Sequence, residues 1–301
     1  MIHAMHPIGT FYCLASAAAF GAMAVLGKLA YDEGATVGTL LATRFVVAAA
    51  LLWLFLAGAR RVGELRALSR RDVGIGLALG AVGYSVQAGA AFAALDRLDA
   101  SLLSLLLYTY PVIVTVSAIA LRRESANRRI ALALALASTG LVLVLAGAAA
   151  GALDPLGTAL GLGAAVCYSA YILTSEGVAA RVAPIALTTL LCTGAATTLT
   201  LAGLASGDLR PGSVSAAGFA WLSGLAVVST IGAVALFFAG LRRVGPTAAS
   251  ILSTLEPVVT VGLAFAVFGE ALGPAQLAGG ALVLLAVLAI RARPTNVQEA
   301  T

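Results

Sequence analysis

Apolar residues run through this chain in blocks of helical length, with short polar joins between them. Ten blocks can be drawn, at roughly 8–30, 38–58, 72–95, 100–121, 130–147, 156–177, 184–205, 216–240, 246–268 and 275–290. An α-helix needs about 20 apolar residues to cross a hydrocarbon layer of ~30 Å. The joins leave no room for a soluble domain, and the first block is too long, and lacks the basic start and small-residue cleavage site, for a signal peptide. The pattern therefore predicts an all-α integral membrane protein of ten transmembrane helices.

The ninth block carries the sharpest anomaly. Thr247 to Phe268 is an apolar run whose one charged residue, Glu256, stands near its middle, followed at once by Pro257. A carboxylate at that depth costs roughly 2.5–3.5 kcal/mol on insertion scales and usually faces a protein interior or a wet cavity. The proline removes one backbone hydrogen bond and bends the helix. The fourth block has the same design, with Pro111 near its middle and Glu124 just past its end.

These likenesses extend to an internal repeat. An offset of 146 carries Pro111 onto Pro257, Glu124 onto Glu270, Ser104 onto Ser250 and Leu95 onto Leu241. An offset of 148 carries His6-Pro7-Ile8-Gly9-Thr10 onto Asp154-Pro155-Leu156-Gly157-Thr158, and Phe20-Gly21-Ala22 onto Tyr168-Ser169-Ala170. The chain thus reads as two copies of one unit, 1–150 and 151–301, with a small insertion or deletion between the two registers. Five helices per copy is an odd number, so the second copy is expected upside down relative to the first. Inverted repeats around a midplane site are the usual plan of secondary transporters, which alternate access by rocking one part against another. Pro111 and Pro257 are the candidate hinges.

Charge adds topology. With the N-terminus inside, the inner joins and C-terminus hold fourteen arginines and the outer joins only Arg97 and Arg210. By the positive-inside rule both termini are expected on the cytoplasmic side of the cell membrane. Composition agrees with the class: 61% of residues are hydrophobic and 10% charged, against about 25% charged in an ordinary soluble domain. The net charge of +5 is accounted for by that arginine placement and calls for no nucleic-acid partner.

No catalytic signature appears. There is no P-loop, HExxH, GxSxG or paired histidine, and an embedded hydrolase needs a nucleophile with a base in reach. Neither an enzyme nor an ATP-driven pump is expected, and no cofactor. Cys13, Cys167 and Cys192 lie in apolar blocks without CxxC or Cys/His spacing, so they read as core residues and not as metal ligands or disulfides. Gly76 and Gly80 form a GxxxG packing surface.

Polar and aromatic side chains at depth mark a candidate solute site: Tyr84, Gln87, Tyr108, Tyr110, Tyr168, Tyr171, Ser229, Thr230 and Glu256. Small-molecule sites combine apolar and aromatic walls with a few placed polar groups. Each deep tyrosine has a second reading, packing between helices. Glu256 also has two: it lines the pathway, binding an amine or a proton, or it satisfies backbone groups freed by Pro257. Its repeat mate is Tyr110, so the cavity need not be chemically symmetric. Lys28, Arg44 and Glu270 form a second candidate group, bracing or gating the outer face. The alternatives are snorkelling toward headgroups for Lys28 and a buried structural partner for Arg44. Glu124, among Arg122, Arg123, Arg128 and Arg129, reads as a solvated loop charge.

Ser250-Ile251-Leu252-Ser253-Thr254-Leu255-Glu256-Pro257-Val258, followed by Phe268-Gly269-Glu270, Gln276 and Gly279-Gly280, resembles the drug/metabolite transporter superfamily, EamA branch. Phe20-Gly21 with Lys28, Arg44-Phe45, and Ala93-Ala94-Leu95 through Pro111 extend the resemblance over the whole chain. Where this branch often has Trp before the glycine of the first helix, Phe20 stands here. The resemblance implies ten helices in two inverted five-helix repeats, moving small metabolites, often outward, across the cytoplasmic membrane. It does not specify a solute. Amino-acid-like or amphipathic solutes suit the site residues, and the contrasting reading is a membrane-embedded binding or scaffold protein without transport. Ten fused helices need no second copy to complete the bundle.

Overall fold

A computed structural model describes residues 6–95, 97, 106–145, 154–269 and 273–291, and among these the structure is helical with no strand. Six described helices are long and apolar enough to cross a membrane, and Tyr110–Ala120, Leu255–Phe268 and Leu277–Ala289 are shorter apolar helices. In chain order we label α1 (Pro7–Asp32), α2 (Val37–Gly58), α3 (Val62–Arg66), α4 (Arg70–Ala78), π1 (Leu79–Tyr84), α5 (Ser85–Leu95) and α6 (Tyr110–Ala120). There follow α7 (Arg128–Leu145), α8 (Pro155–Ala179), α9 (Pro184–Ser206), α10 (Ala216–Ala226), π2 (Val227–Gly232), α11 (Ala233–Ser253), α12 (Leu255–Phe268) and α13 (Pro274–Arg291). Apolar side chains such as Leu54, Val82, Leu201 and Leu288 are exposed on the outside of the bundle. In hydrocarbon that surface needs no cover.

The repeated sequence folds in a repeated way. The His6-Pro7 and Asp154-Pro155 motifs start α1 and α8 with the same cap: His6 Nδ1 accepts from the Gly9 N–H at 3.4 Å, and Asp154 Oδ1 from the Gly157 N–H at 2.6 Å. In both, proline occupies the first turn, where its missing donor costs nothing. The π-turns correspond as well: an offset of 148 carries residues 79–84 onto 227–232. Such turns admit one extra residue into a helix and are frequent at functional sites.

The two prolines interrupt their helices one turn before themselves. Residues 106 and 107 are helical, 108–109 form a turn, and α6 begins at Tyr110; in the second copy the turn falls at Thr254, and α12 begins at Leu255. The cause is the proline ring, which offers no N–H to the carbonyl four residues earlier, here Leu107 or Ser253, and crowds it. The join of the eighth and ninth blocks differs from expectation: helical residues run on to Ser253, and the break between spans is confined to Gly245, at φ 79° and ψ 170°.

The copies interleave. In the first, α2 packs on α9 and on π2 of the second; in the second, α9 packs on π1 of the first. The GxxxG surface makes that contact a backbone one. A Cβ on Gly80 would lie 1.9 Å from the Leu191 carbonyl oxygen, and one on Gly194 2.2 Å from that of Leu77. Neither neighbour is a flexible tip that could move aside. Gly80→Ala is therefore expected to lower stability by about 1–3 kcal/mol. Gly89→Ala, whose Cβ meets nothing within 4 Å, should be neutral or stabilising. Thermal unfolding of the purified variants in detergent micelles checks both.

Candidate functional site

The helix breaks bring the tyrosines together. Tyr108 and Tyr110 sit at the turn before Pro111, with ring centroids 5.8 Å apart. Tyr110 meets Tyr168 edge-on at 4.7 Å, and Tyr168 stacks on Tyr171 at 5.8 Å. Tyr171 continues to Phe238 at 6.4 Å. Tyr84, at the end of π1, stands edge-on to Phe45 at 5.0 Å and lies within electrostatic reach of Tyr168 and Tyr171. Offset and edge-on pairs of this kind add roughly 0.5–1.5 kcal/mol each beyond burial.

Glu256 closes the far end of that wall. The Tyr108 hydroxyl is the polar group that approaches its carboxylate, and Tyr110 and Tyr168 are near neighbours. No basic side chain pairs with it among the described residues. Protein surrounds Glu256, Tyr108 and Tyr168 on all sides, yet each keeps part of its surface accessible. Each of these side chains is thus enclosed by protein without being sealed by it. The backbone there is held by α1: a Cβ on Gly21 would lie 2.8 Å from the Glu256 carbonyl oxygen. Thr260 Oγ1 reaches both that carbonyl, at 3.1 Å, and the Gly21 carbonyl, at 3.0 Å. In the other copy Ser169, the mate of Gly21, reaches the carbonyl of Tyr110, the mate of Glu256, at 3.4 Å.

The remaining expected residues divide by location. Gln87, one turn beyond Tyr84, is partly accessible and makes no hydrogen bond among the described residues. Tyr110 and Tyr171 are buried within the wall, and the Tyr110 hydroxyl donates to the Ser250 carbonyl at 3.4 Å. Ser229 and Thr230 lie in π2, fully buried, and donate to the carbonyls of Ala19 (2.7 Å) and Leu225 (3.2 Å). They brace the helices in this conformation.

Arg44 is 2% exposed, and its guanidinium is held by neutral groups alone. Nε donates to Thr230 Oγ1 at 3.1 Å, and one terminal nitrogen approaches Met23 Sδ at 3.0 Å. The other approaches the Tyr84 hydroxyl at 3.3 Å and the Ser229 carbonyl at 3.5 Å. Arg44 thus ties π1 of one copy to π2 of the other, and no ion pair joins it to a carboxylate among the described residues. Of its expected outer partners, Lys28 places Nζ 4.1 Å from the centroid of the Phe268 ring, and Glu270 lies outside the described residues.

Polar ties join the helix ends on both sides. On the arginine-rich side Asp72 pairs with Arg181 at 2.7 Å and Glu176 with Arg123 at 3.0 Å. Glu124 is not a solvated loop charge: it is half-buried and faces Thr247 beside the Gly245 break. Burial pushes its carboxyl up, against the pull of Thr247. On the opposite side the joins after α1 and α9 are laced together. Asp208 accepts from the Gly38 N–H at 2.6 Å at the start of α2, the Arg210 N–H reaches Thr39 Oγ1 at 2.7 Å, and Ser215 Oγ donates to Glu33. Nothing in the residue pattern signals this lacing, because it joins positions about 170 residues apart whose types are common in any loop.

The long apolar helices, with paired π-turns, paired helix breaks and an enclosed tyrosine cluster, define a multi-pass membrane protein built from two copies of one helical unit. The EamA-like transporter family model matches twice, over residues 7–146 and 155–292, and the chain belongs to that family, within the drug/metabolite transporters. A search of proteins of curated function returns no match. One solved crystal structure, described only as that of a protein, superposes with a TM-score of 0.80 over 93% of this chain and 95% of its own, at 20% identity. That likeness concerns the fold alone.

The approach of Tyr108 to Glu256 predicts energetic coupling between them. In a double-mutant cycle of Tyr108→Phe and Glu256→Gln, the stability changes should fall short of additive by about 0.5–1.5 kcal/mol. Thermal unfolding in detergent checks this, and strict additivity would mean the two groups do not interact.

Proposed function

We propose that the protein is a secondary transporter of small organic solutes, amino-acid-like or amphipathic, which bind in the cavity walled by Tyr84, Gln87, Tyr108, Tyr168 and Glu256. The observation that carries this reading is Glu256 itself. It is an enclosed carboxylate with no basic partner among the described residues, beside a helix break, in a chain of a transporter family. A charge in hydrocarbon is kept where it works on a substrate or an ion. A purely structural carboxylate would more simply be paired or absent.

Ten spans in two five-helix units, 1–150 and 151–301, make the second unit inverted. Equivalent breaks before Pro111 and Pro257, and equivalent π-turns, support rocking of one unit against the other with these prolines as hinges. Glu256 takes up a proton or the cationic part of the solute, and the direction of net flux is outward. The arginine-rich side is the cytoplasm, with both termini there and the protein in the cell membrane. The lipid bilayer and the solute are its partners, and the ten-helix bundle serves as a monomer.

Uptake and counterflow of a panel of amino acids and related metabolites in proteoliposomes test the reading, with and without a pH gradient. Gradient-driven flux is expected in the wild type and lost in Glu256→Gln, with counterflow retained. Flux that ignores the gradient and survives the substitution would leave a facilitator and reduce Glu256 to a structural part. No flux of any solute would favour a scaffold. Topology is checked separately: a C-terminal green fluorescent protein fusion should fluoresce and a C-terminal alkaline phosphatase fusion should be inactive.

A further inference from the structure

We propose that Arg44 is the anion-recognising group of the site and takes the carboxylate of the transported solute; this rests on the transport reading above. Two ionisable side chains of opposite sign, Arg44 and Glu256, are enclosed in the bundle interior, and neither has an ion-pair partner among the described residues. A structural ion pair would bring the two into contact. They stand instead at opposite ends of the tyrosine wall: Arg44 at Tyr84, Glu256 at Tyr108 and Tyr168.

The hydrogen bonding at Arg44 is incomplete in a specific way. A guanidinium has five N–H donors in a planar fork. One meets a good acceptor, the Thr230 hydroxyl. The others find a thioether sulfur, a tyrosine hydroxyl at 3.3 Å and a carbonyl at 3.5 Å. The guanidinium also lies 4.8 Å from the centroid of the Phe45 ring and 5.9 Å from that of Tyr84, so its partners are neutral throughout and none carries charge. The fork matches a carboxylate bidentately, and such charge-assisted pairs are about twice as strong as neutral ones. A carboxylate displacing Met23 and the Ser229 carbonyl would supply the missing charge. Arg44 also spans π1 and π2, which belong to different copies, so that exchange would loosen a tie between the units when solute binds. The apolar body of the solute would lie along the tyrosines.

Isothermal titration of the purified full-length protein with leucine, leucinamide, 4-methylpentanoate and isopentylamine isolates the carboxylate from the amine. The wild type should bind the two carboxylate probes about ten- to a hundredfold more tightly than their partners lacking it, the worth of a charge-assisted hydrogen bond. Arg44→Gln should bring that ratio close to one. Arg44→Lys, which keeps the charge and loses the fork, should lower it without abolishing it, and serves alone if Arg44→Gln does not fold. A wild-type ratio near one, no binding of either carboxylate, or an unchanged ratio in Arg44→Gln or in Arg44→Lys would overturn the assignment. Binding is read without flux, so the outcomes separate. A carboxylate preference that depends on Arg44 in a protein that moves nothing would refute transport alone. Flux without that preference would refute the role of Arg44 alone.

Discussion

In hydrocarbon a backbone N–H or C=O without a partner costs several kcal/mol, and no water is present to repair it. Helices satisfy this requirement cheaply, and every departure from helix must be sheltered by protein. Among the described residues the departures within the spans are placed in pairs, a π-turn and a proline break in each copy, and the break at Gly245 falls between spans. They fall in the interior of the bundle, where α1, α2, α8 and α9 pack over them. The irregular backbone and the tyrosine cluster therefore share one location for one reason. Only where neighbouring helices close around a break can the chain afford to be broken.

Close packing is what makes that shelter possible. The approach of α9 to π1 is backbone to backbone at Gly80 and Gly194, and the Gly21 approach presses α1 onto the turn that bears Glu256. Small residues at such points are the ordinary means of helix association in membranes. Here they also fix the position of the turn that bears Glu256. The repeat then diverges at chosen positions: Glu256 answers to Tyr110, and Arg44 answers to Cys192 at the offset of 148. A repeated frame thus carries side chains of opposite charge at positions whose repeat mates are uncharged.

The two faces of the bundle are tied differently. The joins after α1 and α9 are bound by carboxylate-to-amide and hydroxyl contacts involving Asp208, Thr39 and Glu33. The arginine-rich side relies on Asp72–Arg181 and Arg123–Glu176, partly exposed ion pairs. Exposed pairs contribute about 0–1 kcal/mol. Arg44, reaching across both π-turns, sits between the two sets of ties.

Much was legible in the residues alone. Hydrophobic block length determined the membrane class, because only a helix of about 20 apolar residues can cross. The offsets of 146 and 148 determined the duplication, because a repeated fold leaves its caps and prolines in register. Glu256 and the tyrosines were legible as a candidate site because polar groups at depth are costly. Tertiary structure decided the rest. It joined the tyrosines into one wall, buried Ser229 and Thr230, half-buried Glu124 against Thr247, and gave Arg44 buried hydroxyl and carbonyl partners, the alternative to an ion pair at the outer face. It also supplied the π-turns and the lacing by Asp208. These features depend on contacts between positions far apart in the chain, which residue periodicity cannot encode: a period tells which face a side chain occupies, and only packing tells what that face meets.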